Sequence, residues 1–287
     1  MTDVLLITAS NLPIEEPETG KLLETLKGLG LSGKIVAWDD KTINWQDCKL
    51  VVIRTPWDYV EKYPEFRRWL ELTGTKTKVW NPVKTILWNI HKSYLLELQE
   101  QGVPIVPTKL VSAGSEKKLS ELLPEDFGNE IVIKPAISIS AKGTGRFMKD
   151  APEAEAHFNH LIAARDVLIQ PFLPEIQQKG EVSMMYFHGK YSHAIRKIAK
   201  KGDFRVQNNF GGTVEVHIPT AEEKEVAEKI FKVLREPPPY ARVDLLSTSK
   251  GPLLMELELI EPDLFLSYDP GAFMRFAEEI KREVLKG

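Results

Sequence analysis

The 287-residue sequence has little cysteine and no long apolar run. Its one cysteine, Cys48, excludes an intramolecular disulfide and a metal site made only of cysteine ligands. No stretch approaches the roughly 18 consecutive apolar residues of a membrane-spanning helix, and the apolar run at residues 4–9 is too short for a signal peptide and lacks its basic front. We therefore expect a cytoplasmic protein with no membrane partner.

The sequence also lacks an excess of charge of either sign. With 38 lysines and arginines against 41 aspartates and glutamates, the formal charge is −3, which gives no strong attraction to nucleic acid. The composition is that of an ordinary globular protein, with 43% hydrophobic and 28% charged residues. At this length we expect two or three packed lobes.

Apolar periodicity predicts an α/β protein. In residues 1–82 a β-α-β-β-α-β order indicates a small open α/β lobe. Beyond it, the pattern predicts one helix over 85–102 and a flexible loop of small residues at 136–146. Later strands are predicted at 109–111, 131–134, 167–172, 181–187, 190–198, 214–218, 240–246 and 253–260.

The strand at 253–260 carries two glutamates, Glu256 and Glu258, between apolar residues. Because strand side chains alternate between faces, we expect the glutamates to share a face with Leu254 and Ile260. The opposite face is expected to hold Leu253, Met255, Leu257 and Leu259. Adjacent carboxylates repel unless a cation lies between them, so this pattern favours a metal or phosphate-linked role over an ordinary amphipathic strand.

The strand before it places Arg242 and Asp244 on one face. If the two strands pair through their short turn, these residues meet Glu256 and Glu258. Three carboxylates suit one or two magnesium ions, which prefer oxygen ligands, and the arginine suits a phosphate. The alternative is a sheet face stabilised by salt bridges.

Lys134 ends a buried strand immediately before the loop at 136–146. A lysine in this position can reach phosphates, and the backbone N–H groups of the loop can cover them. The alternative is a solvated lysine. The loop is neither a P-loop nor a dinucleotide-binding loop, because neither GxxxxGK[ST] nor GxGxxG occurs.

Two further segments suit a nucleotide. The strand at 167–172 runs into Pro171 and leaves backbone groups available to an adenine edge, and Glu181 can accept hydrogen bonds from ribose hydroxyls. A basic segment around Arg205 suits a triphosphate or an anionic substrate. An ordinary strand end and a solvated basic loop are the respective alternatives.

The third predicted strand leads into Arg54, Trp57 and Asp58. Open α/β sheets bind ligands at the carboxyl ends of their strands. We expect Arg54 to hold a substrate carboxylate through two hydrogen bonds, and Trp57 and Tyr59 to form walls of the pocket. A structural loop with an Arg–Asp pair is the alternative.

In this order the segments resemble those of ATP-grasp enzymes over about residues 80–280. The resemblance is closest to the glutathione-synthetase-like and RimK-like branch and, within it, to ligases that close the D-cycloserine ring. It is carried by Asn89-Ile90-His91-Lys92, Val132-Ile133-Lys134-Pro135, Gln170-Pro171-Phe172-Leu173 and the segment from Asp203-Phe204-Arg205 to Gly211-Gly212. It implies the ATP-grasp fold, with an N-terminal open α/β lobe at 1–82 and two lobes, 83–172 and 173–287, that clasp ATP.

The resemblance also implies roles for individual residues. ATP is expected to contact Lys92, Lys134, Ser138, Ser140, Gly143, Gln170, Pro171, Phe172, Leu173 and Glu181. One or two Mg²⁺ ions, with Mn²⁺ as a substitute, are expected on Asp244, Glu256 and Glu258. Lys134, Arg205 and Arg242 are expected to be catalytic. The substrate is expected to contact Arg54, Trp57, Asp58, Gly211 and Gly212.

The sequence departs from the family pattern at three positions. His91 stands where Asp is frequent, Gln207 where RimK-type enzymes carry Asn, and Glu258 where the last metal ligand is often Asn. Glutamate and glutamine keep oxygen ligands, so metal binding is still expected. The departures leave the substrate open.

The resemblance implies an ADP-forming ligase that joins a small amino-acid-like carboxylate and an amine through an acyl phosphate. One alternative is an intramolecular cyclase of the cycloserine-forming type. Another is a non-catalytic nucleotide-binding protein that keeps the fold. A monomer or homodimer is expected.

Overall fold

The structure, a computed structural model, describes residues 1–12, 15–200, 202–203, 205–206 and 211–286. The N-terminal part forms a parallel sheet with the order β2-β1-β3-β4. Its elements are β1 (Thr2–Thr8), α1 (Glu18–Gly28), β2 (Gly33–Ala37), β3 (Cys48–Thr55), α2 (Tyr63–Gly74) and β4 (Lys78–Trp80). The predicted order of strands and helices in this lobe is confirmed.

The middle of the chain forms an antiparallel sheet with the order β5-β8-β6-β7. Its elements are α3 (Val83–Ile90), α4 (Tyr94–Glu100), β5 (Lys109–Val111), α5 (Leu119–Leu122), β6 (Glu130–Pro135), β7 (Gly145–Met148), α6 (Pro152–Ile162) and β8 (Val167–Pro171). The sequence does not predict strand β7, and the loop predicted at 136–146 overlaps the start of this strand.

The single helix predicted over 85–102 is wrong, because the chain leaves the helix between α3 and α4. His91 is extended, with φ −97° and ψ 119°. The backbone N–H of Lys92 donates to the Ala136 oxygen at 2.9 Å. The break lets the two helices pack in different cores, Ile90 with the N-terminal sheet and Leu95 with the C-terminal sheet. Apolar periodicity within one helix cannot reveal such a change of core.

The C-terminal part forms a five-stranded antiparallel sheet with the order β11-β10-β9-β12-β13. Its elements are α7 (Glu175–Lys179), β9 (Glu181–Phe187), β10 (Lys190–Ile198), β11 (Thr213–Val216), α8 (Ala221–Leu234), β12 (Tyr240–Thr248), β13 (Gly251–Glu258) and α9 (Ala272–Leu285). The predicted pairing of the two acid-bearing strands, β12 and β13, is confirmed.

A β-bulge interrupts this pairing. Asp244 pairs with Glu256 and Leu245 pairs with Leu254, so Met255 is an extra residue on β13. The extra residue reverses the alternation of side chains: Leu254 lies in the apolar core, whereas Met255 lines the cleft described below. The faces predicted for Leu254 and Met255 are therefore wrong, while Glu256 and Glu258 both face the cleft.

The N-terminal and C-terminal sheets share an apolar core with helix α9. Phe276 of this helix packs in one cluster with Leu6 of β1 and Phe187 of β9, and the two phenyl rings stack with centroids 4.7 Å apart. Each sheet lies within one of the ranges 1–82, 83–172 and 173–287, but the division into lobes stays a prediction because this core crosses it. No helix in the described part of the chain has the length and apolarity needed to cross a membrane.

Candidate active site

A cleft of about 570 Å³ opens where the three sheets meet. The N-terminal lobe contributes Trp57, the middle sheet and its helices contribute Lys92 and Lys134, and strand β13 contributes Glu256 and Glu258. The structure therefore brings together residues that are far apart in the sequence, since Trp57 and Glu258, which are 201 positions apart, line one space.

Strands β12 and β13 hold four charged side chains on one wall of the cleft. Arg242 lies opposite Glu258 and Asp244 opposite Glu256, as the sequence predicts. Arg242 donates from Nε to Asp244 Oδ1 at 3.0 Å and from Nη2 to Asp244 Oδ2 at 2.9 Å, and it also donates to Glu258. Its Nη1 donates to the backbone oxygen of Asp263 at 3.1 Å. The guanidinium thus bridges two carboxylates on neighbouring strands.

Lys197, which the sequence groups with the basic residues around Arg205 without an individual role, joins this network from β10. Its ammonium pairs with Glu181 and lies 3.6 Å from Asp244 Oδ2. The Ser183 hydroxyl also donates to Asp244. Burial opposes ionisation of Asp244, but the charges of Arg242 and Lys197 outweigh it and hold its pKa at about 2. Asp244 is an ionised carboxylate with both oxygens engaged.

Glu256 and Glu258 differ from Asp244 because they open to the cleft, with 30% and 27% of their side chains exposed. Burial, which the charges of Asp244 and Glu256 reinforce, raises the pKa of Glu258 to about 8 against the opposing charge of Arg242. Burial also tends to raise the pKa of Glu256, but the charges of Lys92 and Lys134 outweigh burial, so the pKa of Glu256 is lowered.

The described residues contain no group of three Asp, Glu, His or Cys side chains arranged to hold a metal ion. The physical reason is that Arg242 lies between Asp244 and Glu258, and Lys92 contacts Glu256. Magnesium needs only one or two protein carboxylates when phosphates and water fill its other positions. Glu256 and Glu258 fit this requirement, whereas the engaged oxygens of Asp244 do not. The metal role of the three residues stays a prediction.

Two lysines approach the glutamates from the middle of the chain. Lys92 Nζ lies 2.8 Å from Glu256 Oε1 and donates to the Ser138 backbone oxygen at 2.9 Å. Burial disfavours the charge of Lys92, but Glu256 outweighs this and raises its pKa. Lys134 also lines the cleft, where burial lowers its pKa. Anionic phosphate oxygens are the groups that such a lysine pair can neutralise.

The loop between β6 and β7 lies against the cleft with Ser138 and Ser140, as predicted. Lys142 of this loop forms an ion pair with Glu61 of the N-terminal lobe, and both residues line the cleft. The loop therefore reaches across the cleft to another lobe, which is the position that a cover over bound phosphates requires.

The segment predicted to contact adenine lines an apolar part of the cleft with Gln170, Pro171, Phe172 and Leu173. Gln170 Nε2 donates to Thr108 Oγ1 at 2.8 Å. The apolar cluster around Phe172 contains Ile176, Val206, Leu246 and Met255, the residue that the bulge turns toward the cleft. Apolar walls with a few fixed polar groups suit a nucleobase. Glu181, the predicted ribose contact, also lines the cleft but is paired with Lys197.

Arg205 lines the cleft beside Asp203. Its Nε donates to Asp203 Oδ1 at 3.1 Å and its Nη2 to Oδ2 at 2.8 Å, so the carboxylate orients the guanidinium through two bonds. Much of the basic segment, namely Lys201, Phe204 and 207–210 with the departure at Gln207, lies outside the described residues.

Three glycines predicted to contact ligands, Gly143, Gly211 and Gly212, do not belong to the described lining of the cleft. Backbone geometry explains why two of these positions hold glycine. Gly143 has φ +75°, a conformation that favours glycine, and a Cβ on Gly212 would lie 2.3 Å from the Val206 backbone oxygen. Their contacts with ligands stay a prediction.

The predicted substrate residues of the N-terminal lobe separate in the structure. Trp57 lines the cleft and donates from Nε1 to the Glu261 backbone oxygen at 3.3 Å. Arg54 is only 1% exposed, lies outside the described lining and donates to the Pro262 backbone oxygen at 3.3 Å. Asp58 accepts from Trp38 and Lys62. Neither Arg54 nor Asp58 therefore contacts the cleft, because each is used to fix backbone or a neighbouring side chain.

The sequence analysis also misses two acidic residues of the cleft. Glu261 and Asp263 line it, together with Tyr59, which was expected as a wall of the pocket. Burial raises the pKa of Glu261 to about 7 and that of Asp263 above its usual range. Glu261 comes three residues after Glu258, beyond the strict alternation of the strand, so only its closeness to the other glutamates in sequence could have indicated it.

Comparison with known proteins places this chain in a family. A family model described as D-cycloserine synthetase DcsG, N-terminal domain, matches residues 4–81. A second, described as prokaryotic glutathione synthetase, ATP-grasp domain, matches residues 92–241. The cycloserine biosynthesis protein DcsG of Streptomyces lavendulae is 30% identical over 298 residues, which cover 96% of this chain and 96% of that protein.

More distant relatives share part of the chain or its fold. A ribosomal protein bS6–L-glutamate ligase of Escherichia coli K12 is 28% identical over 164 residues, covering 56% of this chain and 52% of the relative. The crystal structure of D-cycloserine synthetase DcsG matches with a TM-score of 0.88 and 28% identity, over 98% of this chain and 99% of that one.

A D-alanine–D-alanine ligase from Bacillus anthracis complexed with ATP matches with a TM-score of 0.70 over 100% of this chain and 98% of that one. At 16% identity it supports the fold alone. The full-length similarity and the matched ATP-grasp model confirm the predicted fold and resemblance. The chain belongs to the ATP-grasp family, in the branch of the glutathione synthetases, and is an ATP-dependent, ADP-forming carbon–nitrogen ligase.

Proposed function

We propose that the protein activates the carboxylate of a small amino-acid-like substrate as an acyl phosphate, using ATP with Mg²⁺, and then forms an amide-type bond to an amine. The observation that carries the proposal is the meeting of Lys92 and Lys134 with Glu256 and Glu258 in one cleft. Two cations beside two carboxylates suit a metal-bound polyphosphate.

The first step is the attack of a substrate carboxylate oxygen on the γ-phosphorus of ATP. The bond from that phosphorus to the β,γ-bridging oxygen breaks, and ADP leaves with the electron pair. Lys92 and Lys134 neutralise charge on the phosphate oxygens, and the main work of the protein is positioning. Arg205, oriented by Asp203, supports the transferred group or the substrate carboxylate.

The second step is the attack of an amine nitrogen on the acyl carbon. The carbon–oxygen bond to phosphate breaks, phosphate leaves with the electron pair, and the nitrogen loses a proton. The loop with Ser138 and Ser140 shields the acyl phosphate from water. Water exclusion matters here because hydrolysis would consume ATP without forming the product bond.

Glu256 and Glu258 are the residues that would hold Mg²⁺, because their carboxylates share a wall and open to the cleft. Held there, Mg²⁺ would supply positive charge that offsets the negative charge of the phosphate groups. Asp244 contributes indirectly, since it fixes Arg242 and Lys197 around the glutamates.

A cyclase is the second candidate function. The similarity to the cycloserine biosynthesis protein spans 96% of both chains, including the N-terminal part that contributes Trp57 and Tyr59 to the cleft. In a cyclase the attacking nitrogen belongs to the same molecule as the activated carboxylate. The chemistry of both steps is otherwise the same.

Phosphate release in the presence of Mg-ATP tests the proposal across a panel of amino acids, amino-acid ureas and dipeptides. We expect phosphate release that depends on one class of substrate. Mass spectrometry of the product separates ligation, which adds the mass of an amine and loses water, from cyclisation, which loses only water. Mg-ATP binding without turnover on any panel member would favour the non-catalytic alternative.

A further inference from the structure

Strand β13 is an edge strand, and side chains pair with its outer backbone edge. Asn89 Nδ2 donates to the Leu257 oxygen at 2.8 Å, and the Leu259 N–H donates to Asn89 Oδ1 at 2.8 Å. A side-chain amide carries a donor and an acceptor, as a peptide group does, so Asn89 replaces a residue of a neighbouring strand. The Tyr94 hydroxyl accepts from the Leu257 N–H at 3.0 Å.

The other parts of the strand are held as well. Leu254 N–H donates to the Pro104 oxygen at 2.8 Å, and Val106 N–H donates to the Leu254 oxygen at 2.9 Å. Glu256 and Glu258 lie opposite Asp244 and Arg242 on the inner side. The Leu259 oxygen accepts from Asn81 Nδ2 at 2.6 Å. Asn89 and Tyr94 are the outer support of Leu257, the residue between the two glutamates.

This support decides where the carboxylates face. Leu257 lies between Glu256 and Glu258, and neighbouring strand residues point to opposite sides, so a fixed Leu257 and Leu259 backbone fixes the direction of both glutamates. Asn89 is 5% exposed, so its hydrogen bonds are not exchanged freely with water. Lys92, three residues after Asn89, contacts Glu256 from the same connection.

We propose that Asn89 is a positioning residue that acts through the backbone of β13 to hold Glu256 and Glu258 in the geometry for Mg-ATP. The connection from residue 89 to 94 then positions both Lys92, which is proposed to contact phosphate, and the carboxylates of Glu256 and Glu258. The inference rests on the proposed function in one respect, namely that these glutamates contact the metal-bound nucleotide.

The test compares Asn89→Leu with Thr77→Val. Leucine and valine have sizes similar to the residues they replace and make no side-chain hydrogen bonds. Thr77 is the control because its hydroxyl also donates to backbone, the Cys48 oxygen at 2.9 Å, while neither Thr77 nor Cys48 belongs to β13 or to the described lining of the cleft. Both substitutions are expected to lower the melting temperature.

Calorimetry then measures ATP affinity with saturating Mg²⁺ and with a chelator. We expect Asn89→Leu to raise the dissociation constant of Mg-ATP about 10–100-fold, the usual effect of losing a residue that orients a metal ligand. Affinity for metal-free ATP should change less than about twofold, and Thr77→Val should leave both affinities near wild type. Amide hydrogen exchange at Leu257 and Leu259 in the ligand-free protein should accelerate in Asn89→Leu.

Equal Mg²⁺ dependence in the two variants overturns the inference. If Asn89→Leu does not fold, Tyr94→Phe removes one hydroxyl from the same edge and is expected to weaken Mg-ATP binding in the same direction; unchanged binding then overturns the inference. A wild-type protein whose ATP affinity does not depend on Mg²⁺ contradicts the proposed function itself, and the inference with it, so the two failures are distinguishable.

Discussion

At the residue scale, the three acidic side chains of β12 and β13 have three different environments. Asp244 is 2% exposed and bonded to Arg242 and Ser183, Glu256 contacts Lys92, and Glu258 has a raised pKa. Sequence alternation predicts that the three side chains share a wall. It does not predict their different environments, because these depend on which lysines and arginines other strands and helices place beside each carboxylate.

The first prediction concerns charge at the reacting phosphate. Glu256→Gln and Lys134→Ala are each expected to lower kcat about 10²–10³-fold, the scale of losing one group that stabilises the transition state. Steady-state phosphate release measures the effect on the active substrate. Lys229→Ala, an exposed lysine that pairs with Glu225, is the control and should retain wild-type turnover. Turnover near wild type in Glu256→Gln or Lys134→Ala would contradict their assignment.

At the element scale, irregular features of regular elements build the site. The break between α3 and α4 frees Lys92 to reach Glu256, and the bulge in β13 turns Met255 toward the cleft. The segment after β13 is held to β10 by His193, whose ring Nε2 lies 2.9 Å from the Leu264 oxygen and 3.1 Å from the Phe265 oxygen. Carbonyl oxygens only accept, so this nitrogen carries the proton.

The contact of His193 with this segment predicts a dependence of stability on pH. Burial lowers the pKa of His193 below its usual value, so the unfolded chain binds a proton more readily than the folded one. The stability it contributes is present above about pH 6.5, the usual pKa of histidine, and is lost as the pH falls below that value. Denaturant unfolding measures the free energy of unfolding at pH 7.5 and at pH 5.5. Between these two values, His193→Gln should lose less of this free energy than wild type, and equal losses would refute the prediction.

At the scale of the whole molecule, the cleft depends on three sheets at once. Lys142 and Glu61 join two lobes across it, and helix α9 ties the N-terminal sheet to the C-terminal sheet through Phe276. A ligand bound between lobes stabilises all of them, because it binds only the folded arrangement.

Ligand binding should therefore stabilise the protein in a Mg²⁺-dependent way. Mg-ATP at about 100 times its dissociation constant is expected to raise the free energy of unfolding by about 2.7 kcal/mol, with a corresponding rise in melting temperature. Thermal denaturation with Mg-ATP, with ATP and a chelator, and with Mg²⁺ alone measures this. In Glu256→Gln the shift should fall toward that of metal-free ATP, and an undiminished shift would argue against metal binding at Glu256.

The sequence by itself determined most of the local elements and the charged residues of the wall formed by β12 and β13. Alternation along 253–260 put Glu256 and Glu258 on one side, and their pairing with Arg242 and Asp244 followed from a short turn. These features depend on neighbours in sequence and on strand geometry. The resemblance then indicated the family, which the comparisons confirm.

Only the tertiary structure decided which predicted residues reach the cleft. Arg54 lies outside its described lining and donates to the Pro262 oxygen, Glu261 lines it, and Lys197 joins the acidic network from β10. The helix break and the bulge were equally invisible in the apolar pattern, because both are set by contacts between segments far apart in the chain. Periodicity records which side of an element is apolar, whereas the direction of a charged side chain depends on the partners that folding brings to it.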